Sequence, residues 1–138
     1  METYNANCHC GAVRFSFSLA PLKTIKINRC NCSICTKNSY LLVYPLRKDV
    51  VFHRGEDQLA EYRFGNRTKP HKFCPNCGTS AVVSDPRFAL LGKLWLSVSV
   101  VVLMGSQIHT IQGIEDVLDE LDYRAVDGKN RLGPPYSV

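Results

Sequence analysis

Residues 8–19 read Cys8-His9-Cys10-Gly11-Ala12-Val13-Arg14-Phe15-Ser16-Phe17-Ser18-Leu19. Two signals share this stretch. Val13, Phe15, Phe17 and Leu19 alternate with Arg14, Ser16 and Ser18, a period of two that lays the apolar side chains on one face of a strand. Just ahead of the strand stands a pair of cysteines separated by one histidine.

Outward from this stretch the same period recurs. Shorter strand-like runs occupy residues 25–27, 40–46, 50–53, 59–64, 79–83 and 94–103. The last is rich in β-branched valine, which suits a central buried strand, and Trp95 within it reads as core. Turn signals separate the runs at Arg54-Gly55-Glu56-Asp57, Gly65-Asn66, Asp85-Pro86 and Gly105-Ser106. One segment alone has a helical period: Ile114, Val117, Leu118 and Leu121 fall at i, i+3, i+4 and i+7, opposite Glu115, Asp116, Asp119 and Glu120. That acidic set reads as the wet face of a short helix over 114–121. The tail, 127–138, carries Gly128, Gly133 and Pro134-Pro135 and reads as irregular surface chain. The expectation is a mainly β, single domain over residues 1–138.

A chain of 138 residues buries roughly two thirds of the surface its unfolded form exposes, so a core is possible without staples. Its seven cysteines therefore need another explanation, and an odd number excludes a complete set of internal disulfides. The first twenty residues lack the basic and apolar regions of a secretory signal. The longest apolar run, 94–104, is eleven residues interrupted by Ser97 and Ser99, against the ~20 needed to span a bilayer. A soluble cytoplasmic protein is expected, and in a reducing compartment close-set cysteines point to metal or redox chemistry.

The formal charge is +5. With seven thiolates on two Zn(II) ions it would fall to about +2. The basic residues are scattered, and the densest stretch, Arg67, Lys69, His71 and Lys72, has no aromatic stacking array or recognition-helix pattern beside it. Both observations argue against a nucleic-acid partner. A small molecule is the expected partner, and the sequence carries no signal for an oligomeric state.

The cysteines form three clusters: Cys8-His9-Cys10, Cys30-Asn31-Cys32-Ser33-Ile34-Cys35, and Cys74-Pro75-Asn76-Cys77-Gly78. The third suits a zinc knuckle, with Gly78 free to take the positive φ that closes the turn. A knuckle supplies two ligands, whereas a structural zinc takes four. Cys8 and Cys10 would complete such a site with Cys74 and Cys77, leaving Cys30, Cys32 and Cys35 as a trio with one position open. Two alternatives remain for the trio. A fourth ligand from His9, His53, His71 or His109 would close it, or Cys32 and Cys35 form a redox pair with Cys30 a bystander. Against the redox pair stands the lack of a strand–turn–helix context in the sequence.

In order and spacing, the three clusters together resemble the glutathione-dependent formaldehyde-activating enzyme family, which includes centromere protein V. Gly55, Leu59, Tyr62 and Phe64 also fit its pattern, and the resemblance is strong over residues 5–84. It implies an antiparallel β-tent, a structural zinc on Cys8, Cys10, Cys74 and Cys77, and a catalytic zinc on Cys30, Cys32 and Cys35. It also implies two zinc ions per chain, glutathione as co-substrate, and a carbon–sulfur lyase activity that forms or cleaves S-(hydroxymethyl)glutathione. Two departures stand out. Thr36-Lys37-Asn38-Ser39-Tyr40 has no glycine where the family usually has one, and a late strand that often carries an asparagine reads Val98-Ser99-Val100.

A zinc held by three thiolates is a poor activator of water, but its soft shell accepts another thiol and deprotonates it. Lys37, Lys69 and Lys72 stand near the clusters in sequence and are candidates to hold substrate carboxylates. The alternative is a non-catalytic zinc module that binds glutathione, protein or chromatin. A methionine sulfoxide reductase fits less well, since that family is usually built on two CxxC pairs and this chain has a CxC pair.

Overall fold

The computed structural model describes residues 1–84, 104–131 and 136. The expected strand at 94–103, Trp95, the turn at Asp85-Pro86 and the Val98-Ser99-Val100 departure lie outside these residues.

The opening stretch folds as its alternation requires. Strand β1 (Glu2–Asn7) pairs antiparallel with β2 (Arg14–Leu19), from Glu2 opposite Leu19 to Asn7 opposite Arg14. Phe15 and Phe17 of β2 are each 1% exposed, and Val13 just before it is fully buried. Burying a side chain of this size stabilises by about 1.5–3 kcal/mol, so this face anchors the strand. On its other edge β2 pairs with β5 (Val50–Arg54), closing a three-stranded sheet ordered β1-β2-β5. Ser16, on the opposite face of β2, is hydrogen-bonded to His53 Nε2 at 2.8 Å.

The second sheet has seven strands. They are β3 (Lys26–Cys30), β4 (Leu41–Val43), β6 (Ala60–Tyr62), β7 (His71–Phe73), β8 (Ser80–Ser84), β9 (Met104–Gln107) and β10 (Asp122–Val126), in the order β10-β3-β4-β9-β8-β7-β6. Among the described pairs only β3 with β10 is parallel. One apolar cluster joins the sheets, with Phe15, Phe17 and Val50 from the first meeting Ile27, Val43 and Val82 from the second. The mainly β architecture is therefore as expected. Among the described residues no helix is long and apolar enough to cross a membrane.

Three local readings change. Gly105-Ser106, read as a turn, lies inside β9, where all four residues are buried. A Cβ on Gly105 would stand 3.2 Å from the Tyr44 ring and 3.4 Å from the Val83 carbonyl. Close approach of neighbouring strands, not a turn, is the reason for this glycine. The helix expected over 114–121 is two 3-10 turns, Ile114–Asp116 and Leu118–Glu120, broken at Val117 (φ −126°, ψ 0°). Its sidedness holds, with Ile114 and Leu121 buried and the four acids exposed. Within the tail, Gly128–Arg131 forms one helical turn, α2, in place of irregular chain.

Candidate metal centres

Two hairpin loops meet at the first centre. The loop between β1 and β2 carries Cys8 and Cys10, and the turn between β7 and β8 carries Cys74 and Cys77. The first loop is closed by Cys8 N–H donating to Val13 O at 3.0 Å and Gly11 N–H to Cys8 O at 3.0 Å, with Gly11 at φ +73°. The second repeats the scheme: Cys74 N–H donates to Thr79 O at 2.9 Å and Gly78 N–H to Cys74 O at 2.8 Å, with Gly78 at φ +74°. Thr79 joins the loops, its Oγ1 accepting from His9 N–H at 3.1 Å and lying 3.2 Å from Cys77 Sγ.

All four sulfurs lie within 4.8 Å of one another, with Cys8 to Cys10 at 3.5 Å and Cys10 to Cys74 at 3.7 Å. A disulfide would bring a pair to about 2.05 Å. Around an ion with sulfur at about 2.3 Å, a tetrahedron has edges of about 3.8 Å, which these separations match. Val13 N–H donates to Cys8 Sγ at 3.3 Å, the kind of partner a thiolate takes. The thiols are electrostatically unequal. Hydrogen bonding by Thr79, with help from the backbone, holds Cys77 down at about 5, whereas burial pushes Cys74 up to about 11. A cation among them would favour the thiolate at all four positions.

The second centre is local. Cys30 ends β3, Cys32 takes the position that precedes helix α1 (Ser33–Lys37), and Cys35 lies inside that helix. Their sulfurs also lie within 4.8 Å of one another, and Cys32 N–H points at Cys30 Sγ from 3.5 Å. Cys35 is buried, while Cys30 and Cys32 are half-buried. Hydrogen bonding from Cys30 and Cys35 holds Cys32 far below the usual thiol range, whereas Cys30 and Cys32, together with burial, push Cys35 far above it. Negative charge is thus favoured on Cys32, one sulfur of a trio that could hold a cation.

Among the described residues no histidine, aspartate or glutamate joins either group. His53 is engaged with Ser16, and His71 is buried in a stack with Tyr40 at 5.9 Å between ring centres. The strand–turn–helix context missing from the sequence does exist, as β3 followed by a helix of five residues too short to leave a periodic signal. Local context therefore does not distinguish the trio from a Cys32–Cys35 redox pair. What separates the site from such a pair is the third sulfur, that of Cys30, in the same group.

The glycine-free stretch after the trio also finds an explanation. Tyr40 N–H donates to Cys35 O at 2.9 Å, closing the end of α1 around Ser39, which takes φ +52°. This is the left-handed position after a helix that glycine ordinarily fills. Tyr40 then turns inward, packing against Cys35 and bonding Ser80 Oγ at 2.8 Å. Of the lysines considered for substrate, Lys72 pairs with Glu61 at 3.6 Å. Sequence reasoning missed Thr79 and Tyr40. A threonine directly after the knuckle glycine was the available signal for the first.

A family model described as glutathione-dependent formaldehyde-activating enzyme matches residues 3–98. A curated protein of Halomonas elongata, named "Putative glutathione-dependent formaldehyde-activating enzyme", is 33% identical over 90 residues, covering 59% of this chain. The chain spans 56% of that relative's length. A crystal structure of a Rhodobacter sphaeroides protein superposes with a TM-score of 0.65 at 26% identity, covering 87% of this chain and 99% of that one.

Proposed function

The chain belongs to the glutathione-dependent formaldehyde-activating enzyme family, and from that premise we propose that it is a zinc-dependent carbon–sulfur lyase acting on S-(hydroxymethyl)glutathione or a related thiol adduct. The observation that carries this reading is the division of seven sulfurs into a group of four and a group of three. Cys8, Cys10, Cys74 and Cys77 would hold a structural zinc and fill its coordination. Cys30, Cys32 and Cys35 would hold a second zinc with one position left for substrate. Bound there, the ion supplies a site at which a thiol loses its proton near neutral pH. In the forward direction the substrate sulfur bonds to the aldehyde carbon, the π pair moves to oxygen, and that oxygen takes a proton; the reverse releases thiol and aldehyde.

The chain's own contribution is positional. The end of β3 fixes Cys30, and α1 fixes Cys32 and Cys35, so no fourth protein group from the described residues competes with substrate. Free thiols at these separations suit a reducing compartment, the cytoplasm.

The test combines metal analysis with turnover. Protein purified without chelator should contain two zinc ions per chain, and Cys30→Ser should contain one. The parent should accelerate both formation and breakdown of the glutathione–formaldehyde adduct, and Cys30→Ser should accelerate neither. Saturable glutathione binding without acceleration would support the non-catalytic module instead.

A further inference from the structure

Asn31 stands between two of the trio's cysteines and is tied across the fold. Its backbone N–H donates to Val126 O at 3.0 Å. Its side-chain Nδ2 donates to Asp127 Oδ1 at 3.0 Å, and its Oδ1 accepts from Lys129 N–H at 2.9 Å. Both side-chain functions of one amide are thus spent on a turn nearly a hundred residues downstream. That turn is itself braced. Asn130 Nδ2 donates to both oxygens of Asp127, at 3.1 and 3.0 Å, and Arg131 N–H donates to Asp127 O at 3.2 Å.

The sheet brings the two regions together. β10 runs parallel to β3 with Val126 opposite Cys30, so the trio's first ligand and the Asp127 turn share one end of the strand pair. Arg124 reinforces the pairing, its Nε and Nη2 donating to Asn28 Oδ1 at 3.0 and 2.6 Å. The backbone from Cys30 to Cys32 must bend so that two sulfurs meet, and the residue at the bend is the one anchored.

We propose that Asn31 and Asp127 are positioning residues for the three-cysteine site. Their hydrogen bond and the Lys129 contact fix the Cys30–Cys32 bend, and so the C-terminal turn sets how tightly the trio holds its metal. This rests on the reading of the trio as a metal site. Groups that orient metal ligands typically govern affinity by about 10–100-fold. A residue that served the fold alone would change melting temperature without preference for either metal.

Cobalt(II) titration of the full chain tests this, since tetrahedral thiolate sites give distinct charge-transfer and d–d bands. The parent should take up two equivalents. Asp127→Ala and Asn31→Ala should weaken the equivalent lost in Cys30→Ser by about 10-fold or more, with the other unchanged. Asp127→Asn, which keeps an oxygen acceptor for Asn31, should restore most of the affinity. Two equivalents with affinities within twofold of the parent in both alanine variants would overturn the proposal alone, as would equal weakening at both sites. Uptake of a single equivalent by the parent would overturn the reading of the trio, and the proposal with it.

Discussion

Replacing Gly55 with alanine isolates one close approach between the end of β5 and the loop that joins β1 to β2. Gly55 follows β5 at φ +77°, and a Cβ built on it would lie 2.4 Å from Ala12 O and 3.2 Å from both Ala12 C and Val13 Cα. These are backbone atoms of the loop that carries Cys10, so no side chain can swing away to make room. Gly113 provides the control: its φ is +72°, and nothing lies within 4 Å of its Cβ position. Both substitutions incur the left-handed cost of about 1–2 kcal/mol. Gly55→Ala alone adds overpacking, typically about 1–3 kcal/mol. At this chain length 1 kcal/mol moves the melting temperature by about 4 °C. Thermal melts at a fixed zinc concentration should therefore show Gly113→Ala lower than the parent by about 4–8 °C, and Gly55→Ala lower by about 8–20 °C. Because the displaced loop holds two of the four sulfurs of the first centre, Gly55→Ala should also release zinc to a chelator faster. Melting temperatures for the two variants within about 2 °C of each other would refute the argument that backbone contact, and not φ alone, requires Gly55.

Three further outcomes follow from the same geometry. Ser39→Gly relieves the left-handed serine at φ +52° and should raise the melting temperature by about 4 °C, corresponding to about 1 kcal/mol, with metal content unchanged. Burial, with the nearby Lys69 charge, holds His71 down at about 4 against the ordinary 6.5. As pH falls below 6.5 the unfolded chain takes the proton first, so stability is intact above 6.5 and up to about 3 kcal/mol is lost as pH falls through 4. The drop in melting temperature between pH 7.5 and pH 4.5 should accordingly be smaller in His71→Phe than in the parent, thiolate protonation being common to both. Finally, Cys8→Ser should abolish a cooperative melt, since structural zinc sites contribute about 10–16 kcal/mol, whereas Cys30→Ser should lose one zinc and move the melting temperature by less than about 4 °C. A Cys30→Ser protein that also fails to fold would remove the distinction between the two centres.

Legibility in the sequence followed the strength of the local signal. The alternation of Phe15 and Phe17 announces a strand because that face is wholly buried, and the spacing of the cysteines marks three clusters, of which ligand count joins the first to the third. β10 carries no such pattern: Arg124 and Ala125 are exposed on successive positions, and the strand is held by backbone pairing to β3 and by the Arg124–Asn28 contact, both set by tertiary structure. α1 is hidden for a different reason: its five residues are too few to show a helical period. Gly105 shows the converse error. A residue that usually marks a turn is here because Tyr44 and Val83 leave no room for a side chain. Asn31 was readable in principle, since asparagine favours tight bends between neighbours of this kind, but its partners lie 96 and 98 residues away.

The two centres differ in one more respect, which concerns the growing chain on the ribosome. Cys10 and Cys74 are 64 residues apart, and at about 5–20 residues per second the hairpin thiols wait about 3–13 s for the second half of their site to be made. The trio emerges complete within six residues and has no such delay. On the growing chain Cys8 and Cys10 therefore stand without Cys74 and Cys77 long after the trio is whole, so a shortage of the metal proposed for both groups should leave the four-cysteine group incomplete first.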